Sequence, residues 1–197
     1  HMNHIETAPG VALPDGRWRT RDIVVTAVIG VAFGVVFWAW GLVWAPIEAA
    51  LGPGRFLFYA VWLIPAVLAP LIVRKPGAAL FAEMLAAAVS TLIGSQWGPD
   101  TLLSGFVQGA AAELVFAFTF YRVWSFPVLA LAAVASAAAA WVHDWVLYFP
   151  EVEVTTMLAF GAMMAFSAVV IVAGGSVFLV RALREAGVLE GFAGGQV

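Results

Sequence analysis

Apolar residues fall in long unbroken runs along this chain, not in the period-2 alternation of half-buried strands. A helix that crosses the hydrocarbon core of a bilayer needs about 20 mostly apolar residues. Six stretches reach that length: 23–44, 56–73, 76–97, 101–121, 123–149 and 154–180. The first, second and sixth carry no charge. The third holds Glu83, the fourth Glu113, and the fifth Asp144 beside His143. Pro65 and Pro70 interrupt the second stretch, but neighbouring helices in a membrane can satisfy the carbonyls that proline frees. Without alternation, a transmembrane β-barrel is excluded. The pattern predicts an all-α membrane protein of six transmembrane helices.

Composition sharpens this. Of 197 residues, 63% are hydrophobic and 11% charged, against about 45–50% and about 25% in a soluble domain. The net charge of −3 gives no attraction to polyanions, so a nucleic-acid partner is not expected. The chain has no cysteine, hence no disulfide framework, thiolate metal site or cysteine nucleophile.

Loop charges set the orientation. With both termini cytoplasmic, Arg17, Arg19, Arg21, Arg74, Lys75, Arg122, Arg181 and Arg184 lie inside, and Arg55 alone of the nine basic residues lies outside. The outer loops then hold Glu48, Asp100, Glu151 and Glu153. The first apolar segment lacks the small-residue cleavage site of a signal peptide. The domain reading is a cytoplasmic N-terminal tail over 1–20, in which His1-Met2 resembles a cloning scar, a membrane domain over 21–184, and a frayed, Gly-rich cytoplasmic tail over 185–197. No internal repeat is visible.

Ionisable groups at membrane depth cost at least ~2.5–3.5 kcal/mol to insert and are functional candidates for that reason. Glu83, Glu113 and Asp144 are acids without a single Lys or Arg inside a span, so a partner from outside the bundle is expected. Glu83 and Glu113 fall at similar depth on neighbouring spans and are expected to converge, with Gln96 and Gln108 as polar companions. Helical spacing puts Trp141, Asp144 and Trp145 on one face, an arrangement suited to a flat cation through ring and charge-assisted contacts. Trp38 and Trp97 are further aromatic candidates. The other Trp residues are read as an interfacial belt. His143 points away from Trp141 and reads as structural, since a metal site needs three or four ligands. No metal and no cofactor is expected.

Thr26, Gly30 and Gly34 recur every four residues on the first span. Such small-residue faces let another helix approach closely. The face is assigned to docking with a partner helix, with packing inside the bundle as the competing reading. No phosphate-cradling G-x-x-x-x-G-K-[ST] occurs, so energised transport would need a motor supplied by other subunits.

The runs Lys75-Pro-Gly-Ala-Ala-Leu-Phe-Ala-Glu83, Gly94-Ser-Gln96-Trp97-Gly98 and Gly105-Phe-Val-Gln108-Gly-Ala-Ala-Ala-Glu113 resemble the YkoE family, substrate-binding S components of energy-coupling factor (ECF) transporters. The resemblance covers roughly 17–185. It implies a six-helix S component, not an enzyme, in a prokaryotic plasma membrane. Such a component captures thiamine or its hydroxymethylpyrimidine moiety and works with a transmembrane coupling protein and ATP-binding-cassette ATPases. It also implies a loop over the site between the first two helices, here 45–55, with Pro46, Gly52, Pro53 and Gly54 as hinges. Ligand contacts are then expected from Glu83, Gln96, Trp97, Gln108, Glu113, Trp141, Asp144 and Trp38. No basic residue is expected near the cavity, which disfavours phosphorylated ligands. Competing readings are an S component for another vitamin or for a transition metal, which would use N-terminal nitrogen and His ligands and for which only His4 could serve, a proton-coupled carrier with the acids as a relay, and an intramembrane enzyme, which would need a second His or a Ser–His pair at matching depth.

Overall fold

The structure, a computed structural model, describes residues 16–195. His1-Met2, His4 and most of the expected N-terminal tail lie outside the described residues. All regular structure among the described residues is helical. The first helix, α1, runs Thr20–Leu51. Its start is fixed by Asp22, whose Oδ2 accepts the Arg19 amide at 3.0 Å and so satisfies one of the donors a helix N-terminus leaves free. Residues 45–51, expected as a loop, continue α1 through Pro46.

The helix stops at Gly52, whose φ of +52° is costly for any residue with a Cβ. From there the chain reverses as a 3₁₀ segment, Gly52–Leu63, and then becomes α2, Pro65–Val73. Two bonds lock the returning limb onto α1. Trp62 Nε1 donates to the Phe37 carbonyl at 3.3 Å, and Trp40 Nε1 donates to the Phe58 carbonyl at 3.2 Å. Every residue of α2 is buried, so this short helix forms the centre of the bundle.

Helix α3, Ala78–Ile93, is followed by α4, Asp100–Phe118, and α5, Phe126–Leu147. Then α6, Val154–Ser167, passes through a π-helical turn, Ala168–Gly174, into α7, Gly175–Glu185. α3 packs between α1 and α4, and α4 packs in turn against α5. Four helical stretches are long and apolar enough to cross a membrane: Thr20–Val73 taken through its reversal, Asp100–Phe118, Phe126–Leu147 and Val154–Glu185. Ala78–Ile93 is apolar but shorter, at 16 residues.

Two expectations need correcting. The face of Thr26, Gly30 and Gly34 meets α3 of the same chain. A Cβ on Gly30 would sit 2.9 Å from Leu85 Cβ, and one on Gly34 would sit 2.5 Å from Val89 Cβ. Thr26 is fully buried, and its hydroxyl donates to the Asp22 carbonyl at 2.8 Å. The small residues therefore serve the α1–α3 seam. The end of the chain is not frayed over the described residues either. Leu189 and Phe192 are buried, Arg21 lies over the Phe192 ring at 5.1 Å, and Arg184 donates to the Gly194 carbonyl at 2.9 Å. Two apolar side chains in a Gly-rich run suffice to bring it back against α2.

A candidate ligand cavity

A cavity of about 470 Å³ opens where the end of α1, the 3₁₀ segment, the α3–α4 turn, the first turns of α4 and the end of α5 meet. That volume lies within the range typical of small-molecule sites, about 300–1,000 Å³.

One wall is aromatic. Trp62 sits at its centre, its ring centroid 4.7 Å from Trp44, 5.2 Å from Tyr59 and 5.3 Å from Trp97. All three pairs are edge-to-face, the arrangement ring quadrupoles favour. Trp97 reaches this position because residue 41 is glycine, where a Cβ would stand 3.1 Å from the indole. The adjacent Gln96 donates from Nε2 to the Gly41 carbonyl at 3.0 Å, which ties the α3–α4 turn to α1.

The opposite wall is polar. Asp100, Ser104 and Gln108 line the cavity at four-residue intervals along α4, one above another on a single helix face. Gln108 is buried and donates to Ser104 Oγ at 2.6 Å. At the end of α5, His143 Nδ1 lies 2.9 Å from Asp144 Oδ1, and His143 Nε2 lies 3.2 Å from Asp100 Oδ1. The Tyr148 hydroxyl donates to the other Asp100 oxygen. These contacts join the ends of α4 and α5 through one acidic cluster. Arg55 also lines the cavity, against the expectation of no basic residue there. It is held by an ion pair with Glu48 and lies over the rings of Trp44 and Phe56 at 5.4 and 5.2 Å.

Of the residues singled out in the sequence, Gln96, Trp97, Gln108 and Asp144 line this cavity, whereas Glu83, Glu113, Trp141 and Trp38 do not. Glu83 and Glu113 do not converge on a ligand. Each carboxylate sits at the N-terminus of a different helix. Glu83 is fully buried, and its Oε2 accepts the Ala66 amide, at the start of α2, at 3.1 Å. Glu113 Oε1 accepts the Gly77 amide at 2.6 Å and the Tyr121 hydroxyl at 2.7 Å, while its Oε2 accepts the Ala79 amide at 2.9 Å. A helix N-terminus offers free donors and partial positive charge, so these acids have partners without any Lys or Arg. Trp141 turns toward α6, where its Nε1 donates to the Met157 carbonyl at 2.7 Å and its ring packs on Gly161. Trp38 is half-buried outside the cavity, and the neighbouring Phe37 faces in.

The residues that sequence reasoning missed are Asp100, His143, Tyr148, Tyr59, Trp44 and Trp62. The i, i+4, i+8 spacing of Asp100, Ser104 and Gln108 is the sequence signal that marks the polar wall. Among the described residues no group of three or more His, Cys, Asp or Glu side chains is arranged to hold a metal ion.

Residues 21–139 match the model of a family described as ABC-type cobalt transport system, permease component. A Bacillus subtilis (strain 168) protein bearing the name HMP/thiamine permease protein YkoE is 38% identical over 128 residues. That match spans 64% of this chain and 64% of the relative, just under two thirds of its length. The crystal structure of an S-component of an ECF transporter has the same fold, with a TM-score of 0.86 at 31% identity over 90% of this chain and 91% of that one.

Proposed function

Since the chain belongs to the ABC-type cobalt transport permease family, as a YkoE-like S component of an ECF transporter, we propose that it captures thiamine from the outer face of the membrane. It is an integral membrane protein and a transport component, not an enzyme. In this reading α1, the returning 3₁₀ segment with α2, α3, α4, α5 and the α6–α7 rod make six spans with both termini cytoplasmic. The basic residues Arg74, Arg122 and Arg181 support that orientation. A coupling protein and ATP-binding-cassette ATPases would supply the work, because the chain has no phosphate-binding loop of its own.

One observation carries the ligand assignment: an aromatic wall faces an acidic cluster across a single cavity. Thiamine is a fixed thiazolium cation joined to an aminopyrimidine. Indole and phenol faces attract a cation, more strongly once water is excluded. Asp144 and Asp100 provide the opposing charge. Gln96, Gln108 and Ser104 present amide and hydroxyl groups to the edge of the aminopyrimidine. Hydroxymethylpyrimidine alone would use the amide and ring contacts but leave the acids without a cation, so the acidic cluster favours whole thiamine.

Calorimetric titration of the purified protein with thiamine tests this. Saturable binding at one site, with a change in tryptophan fluorescence, is expected. No heat and no fluorescence change at millimolar thiamine would overturn it.

A further inference from the structure

Both ring nitrogens of His143 face carboxylate oxygens, one on α4 and one on α5. A neutral imidazole has one N–H and one lone pair. Between two ionised carboxylates it would therefore aim a lone pair at an oxygen. One additional proton on the ring turns both contacts into hydrogen bonds. Among the described residues no free cation faces this cluster. Tyr148 faces Asp100 as a neutral donor, Tyr59 faces Asp144 from the 3₁₀ segment, and Arg55 is engaged with Glu48. His143 has only 5% of its side chain exposed, so water does little to relieve a mismatched contact.

We propose that His143, held between Asp100 and Asp144, carries one exchangeable proton while the cavity is empty, and that a cationic ligand expels it on binding. The inference rests on the reading of thiamine as ligand. The exchange balances. The proton leaves for solvent, the thiazolium takes its place as the one positive charge facing the two carboxylates, and the net charge of the cavity is the same before and after. Coexistence is disfavoured because an imidazolium and a thiazolium in one poorly solvated space repel each other. Capture is therefore coupled to proton release, and His143 distinguishes charged from uncharged ligands.

The test is calorimetry of the full chain with thiamine near neutral pH, in phosphate and in Tris, whose ionisation enthalpies differ widely. The expected result is an observed enthalpy that differs between the buffers in proportion to a released proton. Because ligand and proton compete, thiamine affinity should rise with pH by up to about tenfold per unit while the cluster still holds its proton. Hydroxymethylpyrimidine, which lacks the thiazolium, should show no buffer dependence. In His143→Gln, thiamine binding should lose both the buffer dependence and the pH slope.

Tight thiamine binding with equal enthalpies in the two buffers overturns the proton exchange and leaves thiamine capture standing. Proton release that persists in His143→Gln also overturns it, since the proton then comes from elsewhere. Absence of thiamine binding at every pH removes both readings together.

Discussion

The carboxylate of Glu113 lies 2.6 Å from the backbone amide of Gly77, 36 residues earlier in the chain, and caps a helix other than its own. The bond explains an acid at membrane depth without invoking a ligand. Replacing Glu113 with Ala leaves the first amides of α3 without their acceptor. Hydrogen bonds to charged groups contribute about 1.5–3 kcal/mol each. Glu113→Ala should therefore lower the thermal midpoint of the detergent-solubilised protein clearly, while the fraction that remains folded binds thiamine with unchanged affinity. Weakened binding at full stability would return Glu113 to the ligand site.

The glycine seam makes a different demand. Any side chain at position 34 meets Val89 at a distance real Cβ atoms do not tolerate, and overpacking of this kind costs about 1–3 kcal/mol. Gly34→Leu should reduce the yield of monodisperse protein in size-exclusion chromatography even when the chain is expressed alone. Val89→Ala should not rescue it, because the Val89 Cβ at 2.5 Å and the Ala86 carbonyl at 2.9 Å both remain. A well-folded Gly34→Leu protein that fails only to assemble with partner subunits would restore the docking assignment.

Trp97 tests the aromatic wall. Cation–ring contacts are worth about 0.5–2 kcal/mol depending on how dry the site is, so Trp97→Ala should weaken thiamine binding between a few-fold and roughly 30-fold. It should also reduce the fluorescence response. Trp97→Phe should keep most of the affinity. Equal binding by wild type and Trp97→Ala would move the ligand away from this wall.

Topology can be read on a chain that has no native cysteine. Glu151 and Arg122 are both exposed, on turns at opposite ends of α5. Glu151→Cys should react with an impermeant maleimide in intact cells, and Arg122→Cys only after permeabilisation. The reverse pattern would invert the orientation.

Helical class, the positions of most helices and four of the cavity residues were legible in the sequence, because long apolar runs and isolated polar residues are local signals. The partners of Glu83 and Glu113 were not. A search for countercharges among side chains passes over backbone amides, although Pro65 and Gly77 mark the two helix starts where free amides would be found. The apolar run over 56–73 predicts one uniform span. Its first half is 3₁₀ and its second half wholly buried, since Pro65 opens a fresh helix inside the bundle. His143 points away from Trp141 and, as a lone His without further metal ligands, reads as structural in the sequence. That bearing is correct, but it is Trp141 that faces away from the cavity.

The 16 residues of α3 extend about 24 Å at 1.5 Å per residue, less than the ~30 Å hydrocarbon core, and they carry the fully buried Glu83. An apolar segment this short, with a carboxyl group in its first half, is poorly suited to hold its place in lipid alone. Gly30 and Gly34 of α1 receive it on one side, and Gly105 and Gly109 of α4 on the other, with a Cβ at 109 reaching 2.9 Å from that of Glu83. The amide that Glu83 needs belongs to α2. An ordered biogenesis is the expected consequence. A nascent chain arrested before α4 leaves the ribosome is expected to leave α3 open to an impermeant label that the complete chain excludes, and equal protection in both would show that α3 holds its place without α4.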